Sequence, residues 1–497
     1  MMQALTTQAS AAQTLTLGVI GHVDHGKTAL VRALTGIETD RLKEERERGL
    51  SIVLGFSYLE TPHCIVDLID VPGHEDFIRA MISGATGLDG VVLLVAANEG
   101  VMPQTREHFD IARLLDLRRG VIVVNKVDVI STEALHAVIE DVRAFVRGSF
   151  LETAPIIAAS ALNGQGVDTL RSALTDLATL PVERPAAQGF YLPLDRVFIV
   201  HGFGLVATGT LRGGVLGIDE RMQIMPGGRS ATVRALQSRN QPIDAAHPGQ
   251  RVPGFLTSTR RIDAELSLLE NQTPIQKGIK NGASVRLLLG TTEAIARISL
   301  LDQQNMSPGS TAMVQLQCDR DIATHASERF VIRSYSPMTT IGGGRVLDAN
   351  PVRHRRFDES VVRRLETTAA GDPAEMLQQL LAEARADGID IAAAAERLAL
   401  TTDGLRALTG AAEAIEVNER RVVEKASYLE LLERIVAEIE QHHRTAPHRR
   451  GVAAGRVKTR ISPQPHDEVF RRAIGDLVTS ARIRNDVDTP PAPEAVD

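Results

Sequence analysis

Predominantly apolar runs recur through the first third of the chain, at Leu15–Ile20, Ile65–Ile69, Val121–Val124 and Ile156–Ala159. They are short and bounded by polar turns, which suits strands buried on both faces. Helix-patterned stretches such as Lys27–Leu34 stand between them, so residues 15 to about 180 predict a doubly wound α/β sheet. From Phe190 to about Asn350 the pattern changes to short strands separated by Gly and Pro turns, which predicts two β-barrels. The Pro-containing stretch Leu180–Pro185 reads as the first linker. From Pro373 the chain becomes rich in Ala, Leu and Glu with helical spacing, ending near Arg484. The tail Thr489–Asp497, with three prolines and no apolar period, is expected to be disordered. The expected boundaries are a tail at 1–14, an α/β domain at 15–183, barrels at 184–256 and 257–352, α-rich domains at 353–425 and 426–488, and a tail at 489–497.

The chemistry sits in the first domain. Gly21-His22-Val23-Asp24-His25-Gly26-Lys27-Thr28 is a complete G-x-x-x-x-G-K-T loop between a predicted strand and a predicted helix. Its glycines let backbone N–H groups turn inward around a polyphosphate, and the helix N-terminus adds partial positive charge. Lys27 is expected on the terminal phosphates and the Thr28 hydroxyl on Mg²⁺.

Two further motifs follow in order. Asp70-Val71-Pro72-Gly73-His74 ends a strand, placing Asp70 to hold Mg²⁺ through water and the Gly73 N–H against a γ-phosphate. Asn125-Lys126-Val127-Asp128 ends another, and the Asp128 carboxylate can accept from both N1–H and the 2-amino group of guanine. Adenine presents no such edge, and a site built on those bonds rejects it because the wrong base leaves polar groups unpaired. Ser160-Ala161-Leu162 suits the loop that backs the base. Together these predict a GTP- and GDP-binding domain.

The spelling GHVDHGKT, then Arg48-Gly49-Leu50-Ser51-Ile52, then DVPGH resembles the translational GTPases related to elongation factor Tu and initiation factor 2. The resemblance implies ribosome-stimulated GTP hydrolysis. It puts Ser51 where those proteins carry the switch-loop Thr on Mg²⁺, and His74 where a histidine orients the attacking water. Val23 and Leu50 match the apolar gate in front of that histidine, and His22 and His25 read as loop-shaping. Further along, Leu192-Pro193-Leu194-Asp195-Arg196-Val197-Phe198, Val233-Arg234-Ala235-Leu236-Gln237 and Tyr335-Ser336-Pro337 with Thr340–Asp348 resemble the bacterial selenocysteine-specific elongation factors. This likeness runs from about residue 15 to 352. It implies selenocysteyl-tRNA and the ribosome as partners, and a selenocysteine pocket at Asp195, Arg196 and Arg234. Buried cations suit a selenolate and not a neutral serine hydroxyl. It also implies winged-helix domains at the C-terminal end that read a messenger-RNA hairpin at recoded UGA codons.

The chain departs from that family pattern twice. Beyond Arg353 there is room for two winged helices, where the family has four. After Gln250-Arg251-Val252 the chain passes almost directly to Thr259-Arg260-Arg261-Ile262, without the residues that carry the second domain's closing strands. An open barrel leaves strand edges unpaired. Two other functions are therefore weighed beside delivery of selenocysteyl-tRNA: a Tu-like factor with another cargo, and a GTP-dependent RNA-binding or regulatory paralogue that delivers no tRNA.

Bulk properties add limits. Net charge is −7, so no basic coat covers the whole surface. Between His442 and Arg484, however, ten cationic residues face three carboxylates; Arg444, Arg449, Arg450, Arg456, Lys458 and Arg460 are the candidates for RNA phosphate. Cys64 and Cys318 read as reduced structural thiols. Gly202-x-Gly204-x-x-Ala207 imitates a dinucleotide fingerprint but is followed by strand-like residues, and Gly342–Gly344 reads as a close backbone contact. No apolar run of 18 residues occurs, and a cytoplasmic monomer without membrane contact is expected.

Overall fold

A computed structural model describes residues 13–39, 51, 54–61, 64–73, 78, 82, 88–181, 190–192, 194–200, 204–209, 211–224, 229–238, 241–246, 257–270, 278–349, 351–398, 400, 402–446, 448–449 and 451–484. These fall into two compact units, one reaching Leu365 and the other starting at Glu366.

The first unit opens with a six-stranded sheet. Its strands are β1 (Gln13–Ile20), β2 (Gly55–Glu60), β3 (Cys64–Asp70), β4 (Gly90–Ala96), β5 (Gly120–Asn125) and β6 (Ile156–Ala158), ordered β2-β3-β1-β4-β5-β6. All neighbours run parallel except β2 and β3. The period of two sorts each strand's side chains to opposite faces. Val91, Leu93 and Val95 of β4 enter one core cluster with Ile122 and Val124, while Val92 and Leu94 enter the other with Val121 and Val123. Burial on both faces is why these strands read as unbroken apolar runs. The helices are α1 (Lys27–Thr35), α2 (Pro103–Leu114), α3 (Thr132–Val146) and α4 (Val167–Thr179). Helix α1 ends on Gly36 at φ +73°, α2 starts on a proline, and the Ser131 hydroxyl caps α3 by accepting from the Ala134 N–H.

Residues 190–246 form short two-stranded ladders. The longest joins β7 (Leu194–Val200) to β8 (Gly204–Gly209), and another joins β9 (Arg221–Ile224) to β10 (Arg229–Thr232). A small core of Leu192, Leu211, Leu216, Met222, Val233, Leu236 and Ala246 holds them. Gly204–Gly209 is thus strand, and among the described residues no helix follows it to receive a pyrophosphate.

Residues 257–348 close into a barrel of β11 (Thr257–Leu268), β12 (Ser284–Leu289), β13 (Thr292–Leu300), β14 (Thr311–Thr324), β15 (Arg329–Arg333) and β16 (Thr340–Asp348), ordered β11-β14-β13-β12-β15-β16. The Gly342–Gly344 run is a close approach of backbone. A Cβ on Gly344 would stand 1.9 Å from the Glu265 carbonyl oxygen, and one on Gly342 2.3 Å from that of Ser267. Helix α5 (Glu359–Ala370) follows, capped by Asp358, whose carboxylate accepts from the Ser360 and Val361 N–H groups.

The second unit contains α6 (Pro373–Ala384), β17 (Ile389–Asp390), α7 (Ile391–Arg397), α8 (Thr402–Leu408), β18 (Ala414–Asn418) and β19 (Arg421–Glu424), with β19 central in a three-stranded sheet. Helix, strand, two helices and a hairpin is the order of a winged helix. Then come α9 (Lys425–Thr445), α10 (Ala454–Arg460) and α11 (Asp467–Thr479), which share a core with Val417 and Val423 of the hairpin. Cys64 and Cys318 are free and buried. Among the described residues, no helix is long and apolar enough to cross a membrane.

Candidate nucleotide-binding site

The predicted loop joins β1 to α1 at the C-terminal edge of the sheet. Gly21 (φ +147°) and Gly26 (φ +84°) hold positive φ, and neither tolerates a side chain. A Cβ at Gly21 would stand 2.4 Å from the Leu94 carbonyl oxygen, and one at Gly26 2.8 Å from Asn125 Nδ2. Between them His22 and Val23 are half-buried and Asp24 is exposed. The His25 side chain is buried, its Nδ1 3.0 Å from the Leu94 carbonyl oxygen. Burial pulls its pKa down to about 4, so the ring is neutral and braces the loop. The Lys27 ammonium is buried at the loop's centre and donates to the carbonyl oxygens of Gly21 (3.1 Å) and His22 (2.8 Å).

Three oxygen-bearing side chains converge beside it. Thr28 Oγ1 donates to Asp70 Oδ2 at 2.7 Å and lies 3.0 Å from Ser51 Oγ. Two hydroxyls and a fully buried carboxylate form a hard-oxygen donor set that fits Mg²⁺. Gly73 is wedged against the loop: a Cβ there would stand 2.4 Å from Lys27 Nζ and 2.7 Å from the Val23 Cα. His74 and Leu50 lie outside the described residues.

Asn125 ties the base end of the site to the phosphate end. Its Nδ2 donates to the His25 carbonyl oxygen at 2.9 Å, and its Oδ1 accepts from the Ala161 N–H at 3.1 Å. Lys126 sits at φ +61° with its ammonium 3.4 Å from Glu99 Oε1. Asp128 is exposed on the one-turn helix Val127–Val129. Ser160 is buried and closes its loop through the Gln165 carbonyl (2.9 Å) and the Asn163 N–H (3.4 Å), which leaves Leu162 87% exposed at the tip.

Three residues that sequence reasoning passed over also belong here. Thr39 Oγ1 donates to Asp70 Oδ2 at 3.0 Å. On α2, Gln104 Oε1 accepts from the Val23 N–H (3.4 Å), and His108 Nδ1 accepts from the Gly21 N–H (3.3 Å). Burial, helped by the charge of Lys27, pulls the His108 pKa down to about 3. The imidazole is therefore neutral and its proton sits on Nε2. Another face of α2 grips the barrel: Glu107 Oε1 accepts from Thr340 Oγ1 (2.7 Å), the Thr340 N–H (3.2 Å) and Arg333 Nη2 (3.4 Å).

The remaining predicted residues are scattered. Asp195 and Arg196 lie on β7, where the register shifts between Leu194 and Arg196, and their side chains are outside the described residues. Arg234 is exposed between β10 and the ladder at Leu236. Arg444 lies in the last turn of α9, and Arg456, Lys458 and Arg460 lie on α10. Lys458 pairs with Asp467 and Arg460 with Glu438 (2.7 Å), Arg449 is exposed in the connecting loop, and Arg450 is outside the described residues.

The chain is similar to known proteins over most of its length. Residues 12–179 match the elongation factor Tu GTP binding domain, and residues 259–353 match the β-barrel domain of the selenocysteine-specific elongation factor. A selenocysteine-specific elongation factor of Desulfomicrobium baculatum is 33% identical over 95% of this chain and 78% of its own length. That of Haemophilus influenzae is 31% identical over 68% of this chain and 56% of its own. A crystal structure of a bacterial selenocysteine-specific elongation factor superposes with a TM-score of 0.76 at 24% identity, covering 94% of this chain and 78% of that one.

Proposed function

The chain belongs to the selenocysteine-specific elongation factors, and on that premise we propose that it binds selenocysteyl-tRNA in its GTP form and delivers it to the ribosome at recoded UGA codons. It is a translational GTPase. The observation that carries the reading is the convergence of Lys27, Thr28, Ser51 and Asp70 beneath a loop braced by Asn125.

In this reading the Lys27 ammonium leaves the loop carbonyls for the β- and γ-phosphate oxygens and offsets charge that grows on them in the transition state. Loop N–H groups cradle the same oxygens, and the Gly73 N–H meets the γ-phosphate. Thr28 and Ser51 would hold Mg²⁺ and Asp70 would hold it through water, and the ion would supply neutralisation of phosphate charge. His74 would orient the attacking water, and Asp128 would read guanine. The segment at 184–256 would present Asp195, Arg196 and Arg234 to the selenolate. The factor would act as a monomer, with the basic C-terminal helices on a messenger-RNA hairpin.

The test is GTP-dependent protection of the ester bond in selenocysteyl-tRNA, with seryl-tRNA on the same tRNA as control. Protection of the first alone is expected. Protection of neither, with guanine nucleotide still bound, would overturn delivery and leave a GTP-switched RNA-binding protein.

A further inference from the structure

We propose that the strap from Val352 to Phe357, laid on the outer wall of the closed barrel, is an RNA-docking surface that takes backbone phosphates on Arg353 and Arg355 and a base or ribose on the ring of Phe357. This rests on the reading above only in the identity of the RNA, which would be the delivered tRNA.

The sequence here is Val352-Arg353-His354-Arg355-Arg356-Phe357, and no motif considered above uses it. Its residues alternate between anchors and exposed positions. His354 is an anchor, its Nε2 2.7 Å from the buried Asp263 Oδ2. Gln315 donates to Asp263 Oδ1 at 2.8 Å and to the Val352 carbonyl oxygen at 2.9 Å, locking the same turn of chain to β11 and β14. Arg356 is the second anchor, donating to the carbonyl oxygens of Leu300 (2.8 Å) and Gln303 (2.9 Å). Arg353 and Arg355 are exposed, and neither has a carboxylate partner among the described residues. The nearest acid in sequence, Asp358, is committed to capping α5. Two cations are therefore held on a pinned backbone with no carboxylate partner among the described residues, which suits phosphate more than a flexible patch would.

Phe357 makes the surface more than a charged strip. Phe357 is 47% exposed, and its backbone sits at φ +61°, a left-handed conformation that is unfavourable for an aromatic residue. The Phe357 N–H donates to the Leu301 carbonyl oxygen at 2.7 Å, which holds it there. The Arg356 guanidinium carbon lies 4.8 Å from the ring centroid, backing one face with an anchored cation. An exposed ring backed by an anchored cation, on the same short strap as two free cations, is the arrangement that stacks a base or ribose while phosphates are gripped nearby.

The experiment is filter binding of two RNA probes, the UGA-decoding tRNA and a plain RNA stem–loop, by the full chain with a non-hydrolysable GTP analogue over a salt series. Arg353→Glu with Arg355→Glu should weaken binding at least about tenfold and flatten the slope of log K against log salt by about 1.5. Phe357→Gly frees the strained backbone and removes the ring. It should cost about 5- to 100-fold in affinity without lowering the melting temperature, and Phe357→Trp should restore binding. Unchanged affinity and slope in the arginine double variant, or full affinity in Phe357→Gly, would overturn the surface, as would wild-type protein that binds neither RNA. If ester protection fails while the double variant still weakens RNA binding, the surface stands and tRNA delivery falls.

Discussion

Replacing His108 with Phe keeps the ring's bulk on α2 and removes the acceptor for the Gly21 N–H. His108 is 1% exposed, so no water stands ready to replace it. A buried N–H left without an acceptor costs about 1–3 kcal/mol. In the nucleotide-free protein the loop can shift until Gly21 finds another partner, and binding must then pull it back into the cradle. Most of that cost therefore reappears in affinity, as a loss of about 5- to 150-fold in GDP binding. Association is limited by encounter, so the change should sit in the dissociation rate, read by chasing a fluorescent GDP analogue from the variant. Gln104→Ala serves as control: its 3.4 Å contact reaches half-buried Val23, which water can serve, and the rate should change less than about threefold. A His108→Phe protein that releases GDP at the wild-type rate would refute the account, whether or not its melting temperature fell.

Gly73→Ala should lower GTP affinity at least about tenfold with the far-UV spectrum intact, because the new methyl meets the Val23 backbone as well as the movable Lys27; normal affinity would show that the loop yields. Asp128→Asn should turn nucleotide preference from guanine toward xanthine, whose 2-carbonyl accepts from an amide; competition binding with xanthosine diphosphate checks it. His74→Ala should abolish ribosome-stimulated turnover while sparing GTP binding, measured by phosphate release with and without ribosomes. Acid should destabilise the first domain through His25 and His108. Both pKa values lie below the unfolded histidine value, at about 4 and about 3, so the unfolded chain binds the extra protons. Their stabilisation is whole above pH 6.5 and is lost as pH falls toward 4 and then 3, by up to about 1.4 kcal/mol per pH unit for each ring. Urea titrations at pH 7 and pH 5 should show it, and His108→Phe should have the shallower dependence.

The α/β sheet was legible because burial on both faces writes itself as apolar runs, and the closed barrel because short strands there alternate with Gly and Pro turns. Val121–Val124 could hardly be anything but a central strand. The region at 190–246 was harder to read. Its ladders are short and its core is only a handful of aliphatic residues, so local pattern marks the strands and says little about how they join. The glycines of Gly342–Gly344 were visible as glycines, but the reason for them is a carbonyl oxygen on β11, roughly eighty positions upstream.

The nucleotide site divides along the same line. Lys27, Thr28, Asp70 and Asn125 were readable because phosphate, metal and base chemistry demands those residue types at strand ends in that order. Thr39, Gln104 and His108 were not, because each acts by holding a backbone or carboxylate group that another segment supplies, and many residue types could do so. Gln104 and His108 lie one helical turn apart, so they fall on one face of α2 and reach two N–H groups of one loop. Glu107 and Leu114, two turns apart, turn a neighbouring face to β16 of the barrel. The same helix therefore contacts the phosphate loop and the closed barrel, although neither contact leaves a motif. Where a functional residue works through geometry that a helix transmits, its signal lies in the fold and not in local spelling.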